Sequence, residues 1–540
     1  MTSSTAHDEE TGHQENALLT SFFVVGTSIV FFRGLIWLFG RLDAWGLWTL
    51  QLLPISSLLL ALAIRNIRAD DVAPPFRLLA AGLALILGAY GLVSPLSYPN
   101  GMSTVSDILL TWFSVAAYGQ FACAVLAIFR PAFAIVPAAF VLATKDAADR
   151  LFGLHMSNTD YIALVELAIY GYAAMLTYTA LTRQTLMPSI SERAKRYGLD
   201  AWTLAAFLTL VAVHFANYFY SAVAKMLLGG GPFLWVTTNP TEILAYDAWY
   251  GGFFPLAQWE TLSVALLAGL TFMRPLSNIL LFAGQIISVA CLWRRWSMIA
   301  ITLFYDLTHV TIFLVSGIFF WKWILLNLLL VSAMRMVPYA ALRAPLLIVN
   351  SAVLICSPLI FKVVWLGWYD TPALTRNVVV AVLEDGRELE VPSNYFGTIS
   401  LMVAQHDLGR PQPGHFPTGT WGSTKSGQTL TAALENCKLL PDHGWHHRQA
   451  PQHIKSPIQL VHRYALQREA HYGSYVYDLY PHHIWSNPFL FEEFSQVLPS
   501  EIDHYLYKTE SVCISVVNER PLARAVFVDE ITIPLPATGN

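Results

Sequence analysis

The chain has 540 residues, of which 55% are hydrophobic and 13% charged, with a formal net charge of −4. Soluble domains carry roughly 45–50% apolar and about 25% charged residues, so the composition excludes an ordinary soluble protein and points to lipid as solvent. The charge balance offers no basic surface for nucleic acid, and no nucleic-acid partner is expected.

Residues 1–16, "MTSSTAHDEETGHQEN", are polar and acidic. They lack the basic start and short apolar core of a cleavable signal, and they read as a disordered polar N-terminus. Apolar runs long enough to span a bilayer follow near 17–40, 44–64, 77–97, 106–129, 131–147, 161–183, 201–224, 276–293, 297–320, 322–337 and 344–367. The expected fold is a multi-pass α-helical membrane domain of about 10–12 spans. Residues 17–200 form its first part and 201–367 its second. Within the second, 225–275 is broken by "GGGP", "NP", "GG" and "RP". It reads as a re-entrant or surface-lying segment, which needs protein or a water-filled cavity around its backbone.

Short loops carrying Lys and Arg mark the cytoplasmic side. They hold Arg65, Arg68 and Arg77; Arg183, Arg193, Lys195 and Arg196; Arg294 and Arg295; and Arg335 and Arg343. Loops 98–105 and 229–259 hold none. The expectation is a plasma-membrane protein, in a bacterium the inner membrane, with Met1 cytoplasmic and Asn540 extracytoplasmic. Arg274 and Lys322 fit this arrangement less well.

Residues 371–540 carry 12 Lys/Arg and 17 Asp/Glu, and eleven of the sixteen histidines lie beyond residue 370. This is a separate polar domain. It opens with "VVVAVLE" and "ELEVP" around an Asp-Gly pair, a hairpin signal, and it closes with further strand-like runs. A mostly β extracytoplasmic domain is expected, with some helix near 488–508. Cys437 and Cys513 are its two cysteines. They are either bonded to each other, as an oxidising compartment permits, or free.

The apolar helix "LVAVHFANYFYSAVAKM" places His214, Tyr218, Ser221 and Lys225 at +0, +4, +7 and +11. At 100° per residue this is one polar stripe. Polar stripes in membrane helices face the bundle interior or a cavity. Lys225 has two roles open to it. It can snorkel from the helix end to the interface, or its amine can act as a general base in a pocket. In "ITLFYDLTHVTIFLVSG", Asp306 and His309 stand one turn apart near mid-span. A carboxylate there costs roughly 2.5–3.5 kcal/mol on insertion scales and needs a partner, most simply His309 or a cation on another helix. The pair reads either as substrate-binding or as a polar clamp between helices. Arg33 and Glu166 are further charges inside spans, paired with each other or with Asp306. The histidines of 442–453, including His443, His446 and His447, and of 480–485 fit no strong zinc spacing, and no metal site is assigned.

"YFYSAVAK" (218–225) and "HVTIFLVSGIFFW" (309–321) resemble two runs of the horizontally transferred transmembrane (HTTM) domain of the vitamin K-dependent γ-carboxylase family. The resemblance covers roughly residues 200–340. It implies that Lys225 deprotonates a reduced quinone, and that a span-rich half is followed by an extracytoplasmic β-rich domain. The expected function is therefore a membrane enzyme of this superfamily, carboxylase-like, with an outward-opening site. Lys225 is its base, His214 and Tyr218 tune that base, and Asp306 and His309 bind a lipid-soluble, quinone-like molecule. The alternative is a non-catalytic subunit or assembly factor of a membrane complex, with an extracytoplasmic protein partner for the polar domain.

Overall fold

The computed structural model describes residues 4–43, 49–93, 107–152, 160–185, 187–229, 231–406, 408–409, 422–436, 451–477, 482–517 and 520–535. Its helices run in chain order as α1 (Ser4–Asp43), α2 (Thr49–Ala63), α3 (Pro74–Val93), α4 (Asp107–Leu126), α5 (Ile135–Phe152), α6 (Asp160–Arg183), α7 (Pro188–Tyr197) and α8 (Leu199–Met226). Short α9 (Leu234–Thr238) and α10 (Ile243–Tyr250) precede α11 (Glu260–Ile286), α12 (Ser288–Cys291), α13 (Arg295–Ser316), α14 (Trp321–Met334) and α15 (Ala344–Ile360). Among the described residues, six helices are long and apolar enough to cross a membrane. They fit a multi-pass protein, and five shorter apolar helices lie at the other expected spans.

Three boundaries differ from the sequence reading. α1 begins at Ser4, so residues 4–16 are helical rather than disordered. A helix already nucleated by the apolar run extends at little cost. The helix expected from 276 begins at Glu260 and carries Pro275 inside it. Neighbouring groups re-satisfy the backbone that a proline frees in such helices. The broken stretch therefore shrinks to the region between α8 and α11. The third difference lies in the polar domain.

Helix α8 is apolar apart from one polar stripe, and most of its residues are buried. α6, α15, α11, α3 and α1 surround it. Two ends of the bundle are distinguished by chemistry. At one end the basic loops gather: Ala69 N donates to Phe129 O, Arg130 Nη1 to Asn66 O, and Arg295 Nη1 to Val337 O. At the other end the polar domain seats on the helix loops. Phe319 N donates to His483 O, Trp485 N to Gly317 O, and Asn487 N to Gly252 O. Gly317 has φ 72°, and a Cβ there would collide with Phe253 O and lie 2.9 Å from Trp485 O, so this seam requires glycine. The two exceptional cations are absorbed within the fold. Arg274 pairs with Glu242 at 2.9 Å, and buried Lys322 lies 4.6 Å over the Tyr90 ring.

The polar domain holds β1 (Ala373–Leu383), β2 (Glu388–Glu390), α16 (Ser400–Ala404), α17 (Gly427–Asn436), α18 (Pro451–Tyr472), α19 (Glu492–Ser495), β3 (Ile502–Val517) and β4 (Arg520–Pro534). The strands form one antiparallel sheet in the order β2-β1-β3-β4. The Asp-Gly hairpin forms as expected, with Val380 opposite Glu390 and Val382 opposite Glu388. β1 is covered on both faces. Val379, Ala381 and Leu383 pack with Ile454, Ile458 and Val461 of α18, while Val378 and Val380 meet Leu506. Helix α18 thus shares the core, and the domain carries more helix than the sequence suggested. Near 488–508 the expected helix is only single turns, because β3 begins at Ile502 and continues to Val517. The β-branched and aromatic residues of "HYLYKTESVCISVV" favour a strand. Cys513 of β3 is disulfide-bonded, and Cys123, Cys291 and Cys356 are free. Cys437 lies outside the described residues.

Candidate functional site

After α15 the chain runs on along α8 in the same direction as residues 361–370, without helix and without a sheet partner over most of its length. Such backbone, half-buried against apolar helices, must find other partners. The polar stripe of α8 supplies them. Val364 N donates to Asn217 Oδ1 (3.0 Å), Leu366 N to Ser221 Oγ (3.4 Å), and Lys225 Nζ to Leu366 O (2.8 Å). Asn217, Ser221 and Lys225 stand four residues apart, so one helix face forms a ladder for an extended chain. Gly367 makes the close approach possible, since a Cβ there would lie 2.6 Å from the Ala224 carbonyl carbon. Glu166 and Arg33 serve the same crossing. Glu166 Oε2 accepts from Lys362 N (2.5 Å), and Arg33 Nη1 donates to Ile360 O (3.0 Å). They bond the backbone where α15 ends, and the Arg33 charge also acts on Glu166 as expected, while neither is bonded to Asp306.

Lys225 is 6% exposed. It does not snorkel. Its Nζ also donates to Gln285 Oε1 (3.1 Å) and Ser221 O (3.3 Å), and it lies 5.0 Å from the Trp235 ring centre. None of its hydrogen-bond acceptors is a carboxylate.

The second constellation is organised by a residue the sequence reading did not single out. Asn327 of α14 accepts from His214 Nε2 at 2.6 Å and donates through Nδ2 to Asp306 Oδ1 (2.8 Å) and Tyr218 Oη (3.3 Å). Its Oδ1 acts as acceptor, so the His214 proton sits on Nε2. The nearest approach of His309 Nδ1 to Asp306 Oδ1 is 4.0 Å, too long for a hydrogen bond. The expected direct Asp306–His309 pair is therefore replaced by an Asp306–Asn327 bond. The buried amide meets one carboxylate oxygen, Oδ1, without a second charge, while Oδ2 has no hydrogen-bond partner.

These groups border a cavity of about 180 Å³. A cavity of roughly 150 Å³ holds benzene, so the space suits a single ring. Tyr218, Tyr305, Phe320, Trp323, Trp235 and Trp368 supply aromatic wall, and Lys225, Gln285, Thr241 and Asp370 make one polar end. Tyr218 and Tyr305 stack at 3.5 Å. Of the five expected site residues, Lys225, Tyr218 and His309 line the cavity. His214 and Asp306 stand behind the wall and reach it through Asn327 and Tyr218.

Asp370 is the second residue that sequence reasoning missed. Its carboxylate accepts from Asn239 Nδ2 (2.9 Å) and Trp368 Nε1 (3.1 Å). Burial pushes it up to about 6, while those hydrogen bonds and the Lys225 charge hold it down. Asn327 carried a usable signal, a lone amide in "WKWILLNLLL". Asp370 in "GWYDTP" carried none, because a carboxylate past the last span reads as solvated.

Among the described residues no group of three or more His, Cys, Asp or Glu is placed to hold a metal ion. His443, His446 and His447 lie outside them. No family model matches the chain, and no curated protein or solved structure matches it.

Proposed function

We propose that this chain is a multi-pass membrane enzyme in which the Lys225 amine is a general base acting on a lipid-soluble, quinone-like molecule with an acidic hydroxyl. The reading includes the distant relationship to the vitamin K-dependent carboxylase superfamily and a site on the extracytoplasmic side of the bilayer. The observation that carries it is a buried amine, without a carboxylate hydrogen-bond partner, on the wall of an aromatic cavity. A neutral amine there takes the hydroxyl proton and becomes an ammonium. Gln285 Oε1, Leu366 O and Ser221 O are placed to accept from that ammonium, and the Trp235 face adds cation–π attraction. Tyr218 and His309 contact the ring of the bound molecule, and Asn327 orients Tyr218. The Cys513 disulfide supports an extracytoplasmic polar domain, since disulfides persist in oxidising compartments.

A specific observation favours a second reading. The bond from Lys225 to Leu366 O belongs to the ladder that holds residues 361–370, so the lysine could serve the fold alone, in a non-catalytic subunit. Lys225→Arg separates the two. Arginine can donate to Leu366 O but supplies no proton-accepting form in proteins. Complementation of a deletion strain by this variant, with membrane abundance checked by immunoblot, is expected to fail. Full complementation at normal abundance would favour the structural role.

A further inference from the structure

Among the described residues, Asp370 is the one carboxylate-bearing residue on the wall of the cavity that holds Lys225. It is 5% exposed, and no hydrogen bond joins it to the lysine. The same two tryptophans frame both groups. Trp235 covers Lys225 Nζ at 5.0 Å and donates from Nε1 to Trp368 O (2.8 Å), while Trp368 donates from its own Nε1 to Asp370 Oδ1 (3.1 Å). Asn239 closes the carboxylate on its other side, donating to Oδ2 and accepting from Asp370 N, each at 2.9 Å. An amine and a carboxylate thus face one small space from fixed positions, separated rather than paired.

Resting on the general-base reading of Lys225, we infer that Asp370 is the proton-exchange partner of that lysine. Lys225 takes the proton from the substrate hydroxyl, leaving the substrate anion and an ammonium. The ammonium then passes the proton through a cavity water to the Asp370 carboxylate. The amine is neutral again, and Asp370, now a carboxylic acid, releases the proton to solvent water. No electrons are exchanged. Asp370 acts on the substrate through Lys225 and is a positioning residue.

The charged groups around Asp370 suit this exchange. Lys225 faces it from α8. Glu242, just before α10, is paired with Arg274 of α11. Asp247 of α10 is buried, and both of its carboxyl oxygens lack a hydrogen-bond partner. Burial, and then the nearby Asp370 charge, push Asp247 well above the usual carboxylate range. Of these three carboxyls, Asp370 is the one on the cavity wall with Lys225.

The test uses the full chain in lipid nanodiscs and infrared pH titration. The difference between wild type and Asp370→Asn isolates the carboxyl band of Asp370, with a midpoint expected at about 6. Lys225→Met, measured against its own Asp370→Asn counterpart, removes the facing cation and should raise that midpoint. Trp368→Phe removes a hydrogen-bond donor and should raise it at least as far. It also locates the band if Asp370→Asn does not fold. An unmoved midpoint in Lys225→Met overturns the inference. Complementation distinguishes its failure from that of the base reading. If Lys225→Arg complements fully, the base reading fails and the exchange partner falls with it. If Lys225→Arg is inactive but Asp370→Asn complements fully at normal abundance, only the role of Asp370 falls. Loss of complementation in both, with the midpoint shift, supports the inference.

Discussion

Asn327 Nδ2 donates to Asp306 Oδ1 at 2.8 Å, joining the middle of α13 to the middle of α14. This bond meets one oxygen of Asp306 inside an apolar bundle, and it links the carboxylate to His214 and Tyr218 through one amide. Asp306→Ala removes an acceptor from a buried donor, at an expected cost of about 1–3 kcal/mol. Asp306→Asn retains an acceptor of the same shape and should cost less. Asn327→Leu breaks three contacts and should destabilise more than Asp306→Ala. Thermal unfolding of the three variants in detergent checks the order, and equal melting temperatures for wild type and Asp306→Ala would remove the bond from the account.

Gly367→Ala tests the ladder along α8. The added methyl meets Ala224 backbone at 2.6 Å, so residues 366–368 must move away from the helix. Overpacking of this kind costs about 1–3 kcal/mol. The bond from Lys225 to Leu366 O should lengthen or break, so partial loss of complementation is expected together with a lower melting temperature. A variant as stable and as active as wild type would show that the close approach is dispensable.

His482 sets an acid limit on the polar domain. It is buried between Ser400 Oγ (2.8 Å) and Tyr477 O (3.1 Å), and burial lowers it to about 4. Its folded value lies below the unfolded one, so the unfolded chain binds the proton first. Stability from this residue is present above about pH 6.5 and is lost as pH falls toward 4. Asp370 acts with the opposite sign, because a raised carboxyl favours the fold at low pH and loses that advantage as pH rises through about 6. Denaturant unfolding of the full chain should lose about 2 kcal/mol between pH 7 and pH 5 through His482. His482→Gln should flatten the profile by that amount, and an unchanged slope in the variant would contradict the burial of the ring.

The Cys513 disulfide and the orientation of the chain are tested together. In spheroplasts, added protease should trim the C-terminal domain while a cytoplasmic control survives. The Cys513 thiol should resist alkylation until a reductant is added. Reduction should lower stability by about 2–4 kcal/mol. Full protection of the domain in the presence of digested periplasmic controls would reverse the proposed topology.

Much of this architecture was legible residue by residue. The eleven apolar runs correspond to eleven apolar helices among the described residues, because hydrophobic length and backbone satisfaction in lipid are local properties. The Asp-Gly hairpin was equally local. The polar stripe on α8 was found from spacing, and its burial followed, since an apolar helix with one polar face turns that face inward. The start of α11 was not legible, because Pro275 and the glycines before it read as breaks. Nor was α18, whose "PQHIKSPIQLVHRYALQREAHY" carries a proline near its middle.

By itself the sequence determined which segments are helical and apolar, where the polar domain begins, and that Lys225 shares a face with Tyr218 and His214. Only the tertiary structure decided what that face meets. Residues 361–370 lie more than 130 positions away in sequence, and they bring Leu366 O to Lys225 and Asp370 to the same cavity. Asn327, more than 100 positions from His214, replaces His309 as the partner of Asp306. The physical reason is common to both cases. A buried polar group needs a partner, but the need is non-specific, and any donor or acceptor that the packed chain brings within about 3 Å can meet it.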